Sequence, residues 1–203
     1  RAFSDYQVRF DMPIDVFADM LATRDVDPDL SVGCFTDEEL IGFILCGYRT
    51  IDTRACGYDA GTGIAPEYRQ QGIGKRLLNA WLATLRNRRI DEIVLEVLED
   101  NTPAIELYRK AGFRVSRTFA CLRMNKAALA AVAHAYAVID DIQRYAALPA
   151  DKLMTFRPSW QNAKATVLHA LDRHAYVEIA MDGRLAGYGL IHTTSGRIPQ
   201  IGI

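Results

Sequence analysis

The sequence predicts an α/β (α+β) fold, a mixed sheet flanked by helices, and three observations carry that expectation. Apolar runs of strand length alternate with segments of helical periodicity from Met12 to Met124. A basic, Gly-punctuated turn, Arg69-Gln70-Gln71-Gly72-Ile73-Gly74-Lys75, joins one of those strands to the most strongly patterned helix. Half of the 203 residues are apolar, enough for the core of one large domain or two small ones.

Residues 12–22 have the spacing of an amphipathic helix, with Pro13 tolerated in its first turn. Ser31 to Phe35 reads as a short strand, closed by the polar turn Thr36-Asp37-Glu38-Glu39, and Leu40 to Tyr48 as a longer apolar one. After a turn at 50–54, Ala55 to Ala65 forms a strand that Gly57, Gly61 and Gly63 weaken. Such glycines point to a bulge or to close approach of a ligand to the backbone. In the next helix Ile73, Leu77, Trp81 and Leu85 recur at i, i+4, flanked by Leu78 and Leu82. That broad stripe packs on a sheet and makes Trp81 a core residue. Glu92 to Leu98 follows as a strand rich in β-branched residues. Asn101-Thr102-Pro103 opens another helix, with Asn or Thr as its cap, and Gly112 ends it. Phe113 to Met124 is expected to return as a strand or tight hairpin.

The turn before Ile73 has a chemical reading of its own. The first N–H groups of a helix have no helical partner and carry about half a positive elementary charge, which suits an anion. Gly72 and Gly74 lack a Cβ, so a phosphate can approach the main chain, and Arg69 and Lys75 add formal charge. The Walker A loop is excluded because Arg76, not Ser or Thr, follows Lys75. The dinucleotide fingerprint is excluded because the Gly-x-Gly-x-x-Gly run is missing. Arg69-Gln70-Gln71-Gly72-Ile73-Gly74 resembles instead the Arg/Gln-x-x-Gly-x-Gly/Ala signature of the GNAT N-acetyltransferases. A second block, Leu95-Glu96-Val97 followed by Asn101-x-x-Ala104-x-x-x-Tyr108-x-x-x-Gly112-Phe113, resembles the later motif of the same family, in the right order and at the usual separation.

The resemblance implies a mostly antiparallel central sheet with a splayed strand at an acetyl-CoA site. It implies that Arg69, Gln70, Gln71, Gly72, Ile73, Gly74 and Lys75 hold the pyrophosphate. Main-chain groups of Gly63, Ile64 and Ala65 would then hold the pantetheine and the thioester carbonyl. Tyr108 matches the residue that protonates the departing CoA thiolate, and a phenol, protonated at neutral pH, suits that task. Its bland reading is a core aromatic on the face shared with Ala104 and Ala111. Asn101 matches a CoA-contacting Asn and would equally serve as a helix cap. Glu96 is the first candidate for the base that deprotonates the amine, or else a solvent-facing strand carboxylate; Asp59 is a weaker rival. Gln70 departs from the Gly common at its place in the family.

The formal net charge of −1 gives no electrostatic argument for nucleic acid or an anionic membrane. No apolar run reaches membrane-span length, and no signal-peptide pattern is present. Cys34, Cys46, Cys56 and Cys121 form no Cys-x-x-Cys pair and have no His at ligand spacing, so no metal is expected. Reduced thiols in a cytoplasmic protein are the expectation.

After Met124 the pattern changes. Residues 126–146 have helical spacing, and Leu185-Ala186-Gly187-Tyr188-Gly189-Leu190 echoes Leu40-Ile41-Gly42-Phe43-Ile44-Leu45. The expected organisation is a GNAT domain over 1–124, then a linker helix and a partial second unit over 125–203 that lacks the CoA loop. Residues 159–172 would be its first helix. Tyr176–Met181, Leu185–Ile191 and Arg197–Ile203 would be its strands, packing against the first unit, the linker helix or a second chain, with Tyr188 and Leu190 the candidates for that contact. The expected activity is acetyl transfer from acetyl-CoA to a primary amine of a small molecule or protein, with a non-catalytic acyl-CoA-binding regulatory module or a structural GNAT-like module as the alternative. The segment after Gly112 is short for the family's last two strands. The amine-side wall then falls to the C-terminal half or to a second subunit, as in a homodimer.

Overall fold

The computed structural model describes residues 12–123, 137–139, 141–181 and 183–203. They form two compact units. The first runs through Phe113 and includes Ser159–Gln161; the second comprises residues from Arg114 to Pro158 and from Asn162 onward.

The first unit opens with α1 (Ile14–Thr23), followed by β1 (Val32–Thr36), β2 (Glu39–Ile51) and β3 (Arg54–Ile64). Then come α2 (Ile73–Asn87), β4 (Glu92–Leu95) and α3 (Thr102–Lys110). The sheet order is β1-β2-β3-β4. β1, β2 and β3 are joined antiparallel, and Asp52 and Thr53, both at positive φ (49° and 68°), make the tight turn between the last two. That is the backbone a two-residue hairpin needs to follow strand twist. β4 lies parallel to β3 but pairs only from Cys56↔Glu92 to Asp59↔Leu95. Beyond Asp59 the two strands part, leaving the rest of β3 with β2 as its one strand partner among the described residues. The expected strand over Glu92–Leu98 thus stops at Leu95, where its pairing with β3 ends.

Two apolar layers sandwich this sheet. On one face Leu77, Leu78, Trp81 and Leu85 of α2 bury against Ile41, Ile44 and Cys46 of β2, and Trp81 is fully buried as its helix stripe requires. On the other, Cys56, Tyr58 and Ala60 of β3 cluster with Trp160, a residue far away in sequence. The Trp160 ring stacks on Tyr58 at 4.8 Å and 8°, and the Arg49 guanidinium lies 4.3 Å from the indole centroid. Arg49 also donates to the Trp160 carbonyl at 3.0 Å and to the Thr23 carbonyl at 3.1 Å, and pairs with Asp25. Removing so large a buried ring costs about 3–5 kcal/mol. Trp160→Ala is therefore expected to destabilise this unit by that amount, read from denaturant unfolding followed on the emission of Trp81. A loss below about 1 kcal/mol would show that the ring carries no core weight.

The second unit holds β5 (Ala137–Ile139), α4 (Ile142–Ala147), α5 (Ala150–Leu153), α6 (Lys164–Leu168), β6 (His174–Met181), β7 (Arg184–His192) and β8 (Gln200–Gly202). Its sheet is antiparallel throughout, in the order β5-β6-β7-β8. The core gathers Tyr145, Tyr176, Tyr188 and Leu190. Its polar ends are answered inside it: Tyr145 and Tyr188 both donate to Gln200 Oε1, and Tyr176 and Arg144 donate to the buried Glu178.

Three expectations need correction. Phe113 packs edge-on against Tyr108, but residues 113–123 form no strand; they have no regular secondary structure, and Val115 and Leu122 are exposed. Arg114, Arg117 and Arg123 interrupt the run, and no described strand offers them an edge. The helix expected over 126–146 lies outside the described residues up to 136, is a strand at 137–139, and is helical only from Ile142 to Ala147. Residues 159–172 are not one helix: a 3-10 turn at Trp160–Asn162, the short α6 and another 3-10 turn at Leu171–Arg173 replace it. Tyr188 and Leu190 meet Tyr145 of α4, inside the stretch expected as the linker helix, which is one of the partners expected for them.

Candidate functional site

The site is built where β3 and β4 part. Beyond Asp59 the outer edge of β3, over residues 60–64, faces no strand among the described residues. A ladder edge inside a protein is costly unless something accepts and donates along it. The chain then runs through Ala65 and the 3-10 turn Pro66–Tyr68 into the loop before α2. Arg69 Nε donates to the Ile64 carbonyl at 3.1 Å, which ties the loop to the end of β3, and Gln71 Nε2 donates to the Glu67 carbonyl at 2.9 Å.

Gly72 is the N-cap of α2, in the left-handed conformation at φ 76°, and no side chain caps that end. The first N–H at this end with a helical acceptor belongs to Arg76, which donates to the Gly72 carbonyl. The N–H groups of Ile73, Gly74 and Lys75 are thus presented together at the positive end of a 15-residue helix. A Cβ on Gly72 would meet no atom within 4 Å, so the backbone angle, not crowding, demands glycine there. At Gly74 the reason is different. A Cβ there would stand 3.3 Å from Ile64 and 3.4 Å from Leu107, so the absence of a side chain lets α2 approach both β3 and α3. Beside this end lies an open cleft of about 310 Å³, lined by Lys75, Leu78 and Asn79 of α2, Leu107 and Lys110 of α3, and Ala111 just after it.

Gln70 also sits at positive φ, 59°. An L residue in this region is strained by about 1–2 kcal/mol, whereas glycine brings an entropic cost of roughly 0.5–1 kcal/mol. Gln70→Gly should therefore leave stability within about 1 kcal/mol of the parent and keep the loop's ligand affinity, checked by thermal unfolding and calorimetry with acetyl-CoA. A large loss of affinity would assign the Gln70 side chain a direct ligand contact.

On the other side of the splay, α3 begins at the N-cap Asn101, whose side-chain oxygen accepts from the Ala104 N–H at 3.3 Å. The helix carries Tyr108 inward, to 8% exposure. Tyr108 Oη donates to Asp59 Oδ2 at 2.7 Å, at the last paired rung of β3 and β4. The same Oδ2 accepts from Thr62 Oγ1 at 2.7 Å, and Asp59 Oδ1 accepts from the Gly61 N–H at 3.0 Å. Burial pushes the Asp59 carboxyl above the ordinary carboxylate range, against the opposing pull of the Tyr108, Thr62 and Gly61 donors.

Glu96 lies just past β4 and is solvent-exposed. Its Oε1 accepts from the Trp160 N–H at 2.9 Å, and its Oε2 accepts from Tyr58 Oη and Gln161 Nε2, each at 3.3 Å. Tyr58 and Asp59 are neighbours on β3 and so face opposite sides of the sheet. The structure thus brings Tyr108 together with Asp59, and Glu96 with Tyr58 and Trp160, as two separate clusters. Sequence reasoning did not foresee Trp160, Gln161 or Thr62. Thr62 could have been found from its i+3 spacing to Asp59, but nothing local marks Trp160.

The family model described as the acetyltransferase (GNAT) family matches residues 3–113. N-alpha-acetyltransferase 30 of Schizosaccharomyces pombe is 37% identical over 87 residues, 42% of this chain and 58% of that protein. Mycothiol acetyltransferase of Corynebacterium aurimucosum is 32% identical over 84 residues, 41% of this chain and 28% of that protein. The match therefore spans less than two thirds of either curated relative. Among solved structures, the NatC complex bound to Gag peptide and CoA contains a chain 27% identical, with a TM-score of 0.46, covering 54% of this chain and 71% of that one.

Proposed function

Since the chain belongs to the acetyltransferase (GNAT) family, we propose that it transfers an acetyl group from acetyl-CoA to a primary amine of a small molecule or a protein. One observation carries this reading. The unpartnered edge of β3 leads directly into an uncapped helix N-terminus at Gly72, and the Tyr108 hydroxyl stands at the apex of the same splay. The residues suit the cosubstrate. Gly72, Ile73, Gly74 and Lys75 would hold the pyrophosphate, with Arg69, Gln70 and Gln71 shaping the loop, and Gly63, Ile64 and Ala65 would bond the pantetheine amides. Asn101 would line the opposite wall while capping α3.

When bound, acetyl-CoA supplies an activated acyl thioester. The chain's own residues do the rest. Main-chain N–H groups of the open β3 edge polarise the carbonyl, a preorganised contribution that needs no rearrangement during the reaction. Tyr108 gives a proton to the leaving sulfur. Glu96, exposed and held by the Trp160 N–H, is the carboxylate we assign to receiving the amine's proton, through water. A cytoplasmic setting belongs to the same reading and is supported by four free cysteines. Among the described residues no helix is long and apolar enough to cross a membrane.

We also read the second unit as a partial second GNAT unit. Its β6–β7 hairpin repeats the register of β1–β2, including the irregularity. Thr36↔Glu39, Phe35↔Leu40 and Cys34↔Gly42 correspond to Met181↔Arg184, Ala180↔Leu185 and Ile179↔Gly187, with Ile41 and Ala186 each left unmatched. The pairings Phe43↔Gly63 and Tyr188↔Gly202 then fall at equivalent rungs.

The test has two steps on the full chain. Acetyl-CoA is titrated by calorimetry, and thiol release is then followed with a panel of amines: a polyamine, an amino sugar and a peptide with a free N-terminus. Binding followed by amine-dependent thiol release is expected. Absence of binding would overturn the reading, and binding without thiol release for any amine would replace it with a non-catalytic acyl-CoA-binding module.

A further inference from the structure

A buried carboxyl that no element of the fold needs as an ion pair stands directly behind the phenol of the site. Asp59 is 8% exposed, and its nearest polar neighbours are Tyr108, Thr62 and the Gly61 N–H. The Gly61 bond has a structural purpose. Register slips opposite Ala60, between Leu45↔Gly61 and Cys46↔Asp59, and an Asp that accepts from the residue two ahead steadies such a bulge. Asn would serve that purpose as well. The bulge therefore does not explain an ionisable group, nor one placed 2.7 Å from Tyr108 Oη at the rung where β3 and β4 part.

We propose that Asp59 is a positioning residue that acts through Tyr108: a carboxylic acid that orients the phenol toward the splay and hands a proton to its oxygen as the phenol protonates the departing sulfur. This rests on the acetyltransferase reading and on Tyr108 as its acid. A separation of 2.7 Å between Tyr108 Oη and Asp59 Oδ2 serves a proton on either oxygen. With the proton on Asp59, the carboxyl donates to Tyr108 Oη and leaves the phenolic hydrogen free to point into the splay. Thr62 and the Gly61 N–H still donate to the carboxyl oxygens in that state. Burial raises the Asp59 carboxyl above its ordinary range, which favours the protonated form.

The proton count closes. The amine nitrogen forms a bond to the acyl carbon and sheds one proton, and the carbon–sulfur bond breaks. The sulfur takes the Tyr108 proton and the Tyr108 oxygen takes the Asp59 proton; the proton shed by the amine passes through water to Glu96 and from there to solvent, and solvent returns one proton to Asp59. No oxidant, metal or further reactant enters.

The inference deepens the same site, so its test is arranged as a cycle of Asp59→Asn, Tyr108→Phe and the double variant. Each is measured for acetyl-CoA affinity by calorimetry, for kcat and KM by thiol release, and by infrared spectroscopy without substrate. Asn keeps the shape and the Gly61 acceptor, and an unchanged acetyl-CoA affinity verifies that each variant is folded. Asp59→Asn should lower kcat by roughly 10- to 100-fold with KM for acetyl-CoA near that of the parent, and should cost almost nothing further in the Tyr108→Phe background. Residues acting as one unit are non-additive in this way. In the spectrum of the parent at neutral pH, the carbonyl stretch of a buried protonated carboxylic acid should be present, shifted in Tyr108→Phe and absent in Asp59→Asn.

If Tyr108→Phe slows turnover but Asp59→Asn does not, the inference fails and the reading of Tyr108 stands. If Tyr108→Phe has no effect on kcat, the reading of the acid itself fails. Additive losses, or a parent spectrum without the carboxylic acid band, would also overturn Asp59's role, the second without any need for turnover. Should Asp59→Asn lose acetyl-CoA binding, Thr62→Val provides the second variant. It removes the other donor to Oδ2 and should shift the same band while leaving Tyr108 in place; an unshifted band would overturn the inference.

Discussion

Tyr108→Phe is expected to lower kcat by roughly 10²–10⁴-fold, the usual scale for a positioned acid or base, with acetyl-CoA affinity near that of the parent. The ring stays: its edge contact with Phe113, centroids 5.6 Å apart, does not use the hydroxyl. What leaves is one hydrogen bond to Asp59, whose carboxyl keeps the Thr62 and Gly61 donors. Losing one partner of a buried polar group costs about 1–3 kcal/mol, which a folded domain survives in most cases. Steady-state kinetics and calorimetry on the same preparation separate the outcomes. Equal loss of rate and affinity would make Tyr108 a structural tyrosine.

Replacing Gly72 with valine should weaken acetyl-CoA binding by at least about 10²-fold. At φ 76° a β-branched residue is strained by about 1–3 kcal/mol, and each 1.4 kcal/mol is a factor of ten in affinity. A loop that relaxes to escape this strain no longer aims the Ile73, Gly74 and Lys75 N–H groups at one point. A loop that does not relax places two methyl groups in the open space where a Cβ meets nothing within 4 Å. Either outcome touches the core only at Ile73, since Leu77, Leu78, Trp81 and Leu85 start a turn later. Far-ultraviolet circular dichroism and the unfolding midpoint should therefore stay near the parent values. Unchanged affinity in Gly72→Val would remove the phosphate cradle from the account.

Much of the first unit was legible because its signals are local. The four-residue spacing from Ile73 to Leu85 and the glycine before it place the start of α2 at the observed residue, since helix period and cap chemistry act over a single turn. Asn101 caps α3 for the same reason. The strand over 113–124 failed because a strand is not a local object: the run has adequate β-branched and aromatic content, but among the described residues no neighbouring edge completes its hydrogen bonds. The helix expected over 159–172 failed likewise, as the stretch breaks into two 3-10 turns around the short α6, with Trp160 buried at its start.

The site divides along the same line. By itself the sequence determined the strand–loop–helix unit, the left-handed glycine at its helix start, the apolar stripe beneath it and the order of elements that marks the family, all set by residues within a few positions of one another. Strand alternation also separates Tyr58 from Asp59 onto opposite faces. Only the tertiary structure decided what meets each face. Tyr108 reaches Asp59 across 49 residues of chain, and Trp160 reaches Glu96 across 64. Those partners are selected by which helix or loop packs on a sheet face, and that is a matter of whole-domain burial that no short window of sequence encodes.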